Sequence, residues 1–127
     1  MDTLKLWHDI IELRKPELLD EILAEDCVFF SPVVHTPQRG RELTKLYLTG
    51  AMHVLNKDFH YVKELVTPSH AVLEFVCDID GISVNGVDII SFDSDGKIKE
   101  FKVMVRPLKA INLLHAKMRE MLERLSA

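Results

Sequence analysis

The run from Gly86 to Pro107, GVDIISFDSDGKIKEFKVMVRP, constrains this chain more than any other stretch. It reads as two long strands joined by a tight turn at Asp93-Ser94-Asp95-Gly96. Strand alternation puts Asp88 on one face with Ile90 and Phe92, and Val87, Ile89 and Ser91 on the other. Phe92 is too large and apolar for a solvent face, so Asp88 is expected on a core-facing or cavity-facing wall. A carboxylate there pays desolvation unless it is paired or protonated, and the direction expected for its pKa is upward. Such an acid donates a hydrogen bond at neutral pH or works as a general acid or base. The plainer alternative is a structural Asp that caps a turn or accepts from a buried backbone or Trp N–H.

The rest of the chain supplies a frame for that hairpin. Leu4, Leu6, Trp7, Ile10, Ile11 and Leu13 recur at helical spacing, which predicts a first helix over Thr3 to Arg14. Pro16 opens a predicted second helix with Leu18, Leu19, Ile22 and Leu23 as its stripe. Asp26 to Phe30 reads as a strand, and SPVVHTPQRG as a turn-rich loop. A third helix is predicted over Arg41 to Leu55, then strands over Phe59 to Thr67 and Ala71 to Ile79 ahead of the hairpin. Pro107 opens a last helix that reaches about Leu125. The order predicts one α+β domain over 1–127: a curved antiparallel sheet wrapped around N-terminal helices as a cone with an internal pocket, plus a C-terminal helix. Alternation in the three readable strands points Leu73, Phe75, Cys77, Ile90, Phe92, Phe101, Val103 and Val105 inward. Glu74, Glu100 and Lys102 fall outside among Val76, Ile89 and Met104. Such a half-apolar outer face suits a homodimer.

Composition removes several classes of function. A net charge of -4 offers no basic face, so no nucleic-acid partner is expected. Asp2, His8, Asp9 and Glu12 break up the first helix, which makes it neither a leader nor a membrane anchor; no membrane partner and a cytoplasmic location are expected. Cys27 and Cys77 lie in separate apolar segments and read as reduced core thiols. The six histidines form no His-x-His or His-x-x-x-His pattern, so no metal and no cofactor are expected.

The segments SPVVHTPQRG, HYVKELV, AVLEFV, GVDIISFDSDGKIKEF and VMVRPLKAINLL resemble the nuclear transport factor 2-like superfamily. Within it they look closest to the SnoaL-like bacterial proteins. The resemblance covers nearly the whole chain, and it implies a cone that hosts isomerases, dehydratases, cyclases, epoxide hydrolases and non-catalytic binders alike. The ketosteroid isomerases of this fold use an oxyanion-hole aspartic acid, a catalytic Asp before Pro-Val and a tyrosine on the first helix. Asp88 in VDIISF matches the first of these. Ser31 stands where the catalytic Asp would be, and Trp7 where the tyrosine would be. Ser31 has too high a hydroxyl pKa for an ordinary base, and Trp7 donates through its indole N–H without exchanging a proton.

The candidate acid–base residues are therefore Asp88 and His35, the latter a histidine in the Pro-rich loop that the resemblance places at the cone mouth. The candidate ligand-facing residues are Trp7, Ser31, Tyr47, Tyr61, Phe75, Ile90, Phe101 and Val103. Two classes of function stay open. One is a cofactor-free isomerase, dehydratase or cyclase acting on an apolar carbonyl or polycyclic metabolite. The other is a non-catalytic module that binds an apolar small molecule or works as a dimeric interaction domain.

Overall fold

The computed structural model describes residues 2–126. Helix α1 (Thr3–Leu13) starts at Asp2, whose carboxylate accepts from the Lys5 N–H, and ends at Arg14 in the left-handed region. Where a second α-helix is predicted, the chain makes a 3-10 helix over Pro16–Glu21 and enters strand β1 (Leu23–Phe30) early. Burial decides this. Leu19, Ile22 and Leu23 are all fully inside. Leu23 pairs with Ile98, and the Ile98 N–H donates to the Ile22 carbonyl at 2.8 Å. A short segment tied to a strand so soon after Pro16 has no room for regular α turns.

The loop after β1 holds a two-residue strand, β2 (Gln38–Arg39), that the sequence does not predict. Helix α2 (Arg41–Val54) follows, then the meander β3 (Lys57–Val66), β4 (His70–Ile79), β5 (Ile82–Phe92) and β6 (Ile98–Arg106), and finally helix α3 (Leu108–Ser126). The strands form one sheet in the order β2-β1-β6-β5-β4-β3. All pairings are antiparallel except that of β1 with β6, which is parallel. The sheet is thus mixed at the place where the N-terminal segment joins the hairpin. This crossover is not visible in local alternation.

The sheet's concave face carries most of the apolar residues that alternation assigns to it. Leu73, Phe75, Cys77, Ile90, Phe101 and Val103 are buried there, with Trp7 and Ile10 of α1 and Leu114 of α3 packed among them. A register shift between Ser91 and Phe92 breaks the alternation at the end of β5, so that Ser91 is buried while Phe92, like Val105 of β6, is only partly covered. Gly86 pairs with Phe75, whose ring lies across it. A Cβ at Gly86 would collide with that ring and would stand 2.9 Å from the Met104 carbonyl. On the convex face Leu65 and Met104 are 62% and 52% exposed, so large apolar side chains stand in the open beside Lys63, Glu74 and Arg106.

Candidate functional site

Asp88 sits mid-strand in β5, opposite Leu73 of β4 on one side and Val103 of β6 on the other. Its side chain points into the cone and is 5% exposed. The Tyr61 hydroxyl donates to Asp88 Oδ2 at 2.6 Å, and the Trp7 indole N–H donates to the Tyr61 oxygen at 3.0 Å. Trp7 comes from α1, Tyr61 from the edge strand β3 and Asp88 from the sheet centre. One hydrogen-bonded line therefore crosses the apolar interior. Oδ1 of Asp88 has no hydrogen-bond partner among the described residues and is not sealed from the cavity that Asp88 lines.

Burial pushes the Asp88 carboxyl from its ordinary 3.8 up to about 7, with the Tyr61 hydrogen bond pulling part of the way back. Burial, and then the neighbouring Asp88 charge, pushes the Tyr61 hydroxyl well above the usual tyrosine range. Tyr61 therefore keeps its proton. Asp88 is the group in this line that gains and loses a proton near neutrality.

The cavity in front of Asp88 has a volume of about 680 Å³. That lies within the range of sites that enclose small organic ligands. Aromatic rings build its deep end. Trp7 packs 4.9 Å from Phe101, Tyr61 stands edge-on to Phe59 at 5.2 Å, and Phe59 stacks on Phe75 at 5.0 Å. Leu48 and Met52 of α2 and Met118 and Leu122 of α3 close the helical side.

Of the residues singled out in the sequence, Trp7, Ser31, Tyr47, Tyr61, Phe75, Asp88, Phe101 and Val103 all line this one cavity. Two do not. Ile90 is fully buried in the core beside it, and His35 is exposed on the loop, off the cavity wall. The loop turns at Ser31, and the next residues to reach the cavity are Pro32, Val33 and Val34, which leaves His35 facing water. Ser31 Oγ accepts from the backbone N–H of Val33 at 3.0 Å and of Val34 at 3.3 Å, so its lone pairs hold the turn. Tyr47 stands 5.4 Å from the Phe29 ring.

Sequence reasoning misses the line itself and one further pair. His8 lines the cavity, and its Nε2 lies 2.5 Å from Glu64 Oε1. Trp7 was visible as a donor and Tyr61 as an inward residue, but only strand register brings Tyr61 diagonally across β4 to Asp88. Among the described residues no group of three or more His, Cys, Asp or Glu side chains is placed to hold a metal ion. No helix there is long and apolar enough to cross a membrane.

A family model, the SnoaL-like domain, matches residues 4–101. No curated protein matches the chain. Among solved structures, a steroid delta-isomerase from Pseudomonas aeruginosa is 35% identical with a TM-score of 0.92, over 98% of this chain and 93% of that one. A protein conserved in bacteria, with a cystatin-like fold, from Silicibacter pomeroyi DSS-3 is 25% identical with a TM-score of 0.84, over 98% and 85%. A nuclear transport factor 2-like protein from Mesorhizobium loti shares the fold at 24% identity and a TM-score of 0.75, over 84% and 89%.

Proposed function

The chain belongs to the SnoaL-like domain family, in the nuclear transport factor 2-like fold, and from that premise we propose that its cone is an acid–base site for an apolar polycyclic ketone. The reaction is of isomerase type and needs no cofactor. One observation carries this reading: a carboxyl shifted to about 7 stands at the aromatic end of a large apolar cavity, with one oxygen held by Tyr61 and the other free. Its likeness to a steroid delta-isomerase at 35% identity supports the choice of substrate class.

A protonated Asp88 donates from Oδ1 to the ketone oxygen. As a neighbouring C–H proton leaves, negative charge builds on that oxygen, and the donor binds it more strongly than it binds the ground-state carbonyl. Tyr61, fixed by Trp7, steadies the second carboxyl oxygen. The apolar wall keeps water away from the enolate.

The test is binding of a polycyclic phenol, which mimics the enolate. Replacing Asp88 by Leu removes the donor while keeping the branched outline of the side chain, and is expected to weaken binding by about tenfold to a hundredfold. Unchanged affinity sinks the proposal. A second reading, binding without turnover, draws on Ser31: its hydroxyl is committed to the Val33 and Val34 amides and is no base. A β,γ-unsaturated ketone that binds yet never conjugates its double bond favours that reading.

We also propose that the convex face, with Leu65 and Met104 exposed, pairs two copies of the chain. Light scattering at micromolar concentration is expected to give a dimer mass. A monomer mass rules the pairing out.

A further inference from the structure

We propose that His8, oriented by Glu64, is the base that moves the substrate proton while Asp88 holds the ketone oxygen; this rests on the Asp88 reading above. Proton transfer at carbon needs a second group, and the position that faces the loop holds Ser31, whose oxygen is occupied by backbone donors. His8 lines the same cavity as Asp88. Its ring stands edge-on to Tyr61, with centroids 5.4 Å apart, and it follows Trp7 directly in α1. It is thus one residue from the start of the line that ends on Asp88.

Glu64 accepts but does not donate when ionised, so Nε2 of His8 carries the proton of the 2.5 Å contact and Nδ1 carries the lone pair. Nδ1 has no partner among the described residues. Glu64 itself is off the cavity wall. An imidazole fixed in one tautomer by a carboxylate behind it is the arrangement that makes histidine a base. Glu12 is the other ionisable carboxyl on the wall. It is exposed, and among the described residues it has no hydrogen-bond or ion-pair partner. As a stabilising ion pair the His8–Glu64 contact adds little, because both side chains are partly solvated.

The step is a balanced proton transfer. Nδ1 of His8 takes a proton from the carbon next to the ketone. The C–H electron pair becomes the enolate double bond, and the carbonyl π pair moves to the oxygen held by Asp88. The imidazolium, whose side chain is 34% exposed, trades its proton with water and delivers one to the far carbon of the displaced double bond, and the ketone reforms. Nothing is oxidised or reduced.

The experiment follows deuterium entering a bound polycyclic ketone from heavy water, by mass spectrometry, on the whole protein. His8→Gln is expected to slow exchange by about a hundredfold, with affinity for the polycyclic phenol changed by less than about twofold. Glu64→Gln is expected to slow it less, and added imidazole to restore part of the exchange in His8→Ala, which a merely structural histidine would not allow. Exchange at the wild-type rate in His8→Gln overturns the inference. So does wild-type protein that binds the ketone and exchanges nothing, and so does failure of imidazole to rescue His8→Ala. In all three cases loss of phenol affinity in Asp88→Leu still leaves the Asp88 site standing. Phenol affinity indifferent to Asp88→Leu removes that site, and the role of His8 with it.

Discussion

Asp88 and Ser31 are both polar side chains on the wall of one cavity, yet the fold treats them in opposite ways. Asp88 stands mid-strand, where the backbone donors and acceptors are used up by β4 and β6 and cannot help it. Among the described residues its one hydrogen-bond partner is Tyr61, two strands away, and burial drives its pKa to about 7. Ser31 stands where a strand ends and free backbone amides are at hand, and it satisfies two of them. A buried carboxyl among saturated backbone keeps its proton to higher pH, whereas a hydroxyl at a chain turn becomes scaffold.

The largest effect that sharpens this contrast is the pH dependence of stability. Asp88 binds its proton more tightly folded than unfolded, so the folded state holds the extra proton between pH 3.8 and about 7. The unfolding free energy contributed by this group therefore falls as pH rises through that window, by at most about 1.4 kcal/mol per unit and about 4 kcal/mol in all. The stabilisation is complete below the window and gone above it. Asp88→Asn does not titrate, so its stability is expected to gain on the wild type's as pH rises, measured by urea unfolding at both ends of the window. A difference that stays flat with pH breaks the contrast.

A middle-sized effect is expected from Tyr61→Phe. It leaves the Trp7 N–H without its acceptor and removes the hydrogen bond that holds the Asp88 pKa down. The cost is about 1–2 kcal/mol of stability, and the Asp88 titration, read by carboxyl infrared absorption, is expected to move to higher pH. Movement to lower pH contradicts the assigned hydrogen bond. The smallest effect is expected from Ser31→Ala, at about 0.5–1 kcal/mol through the lost amide contacts, with phenol affinity unchanged. A large drop in affinity would put Ser31 among the ligand contacts and erase the distinction.

Much of the fold was legible because its signals are local. Alternation in β4, β5 and β6 gives their inward faces, and helical spacing gives α1, α2 and α3. The segment from Pro16 to Leu23 misled because Leu19, Ile22 and Leu23 fit a helical stripe as well as they fit a turn feeding a strand. The parallel pairing of β1 with β6 joins distant segments and leaves no trace in either one. An acid out of place among apolar residues marked Asp88, and the structure puts it on the cavity wall. His35 misled because its loop position suggested the cavity mouth, whereas the turn at Ser31 sends it to water. Nothing in the sequence around His8 or Glu64 marks them as a pair, since they meet across the gap between a helix and an edge strand.

The sequence by itself determined that an acid would lie on an apolar strand face, because side-chain period and residue type are local facts. Tertiary structure alone decided what that acid would do. Strand register carries Tyr61 to one carboxyl oxygen, α1 carries Trp7 to Tyr61, and the curvature of the sheet under the helices leaves the cavity open in front of the other oxygen. The proton affinity of Asp88 comes from that enclosure, since the same side chain in water would be ionised at neutral pH.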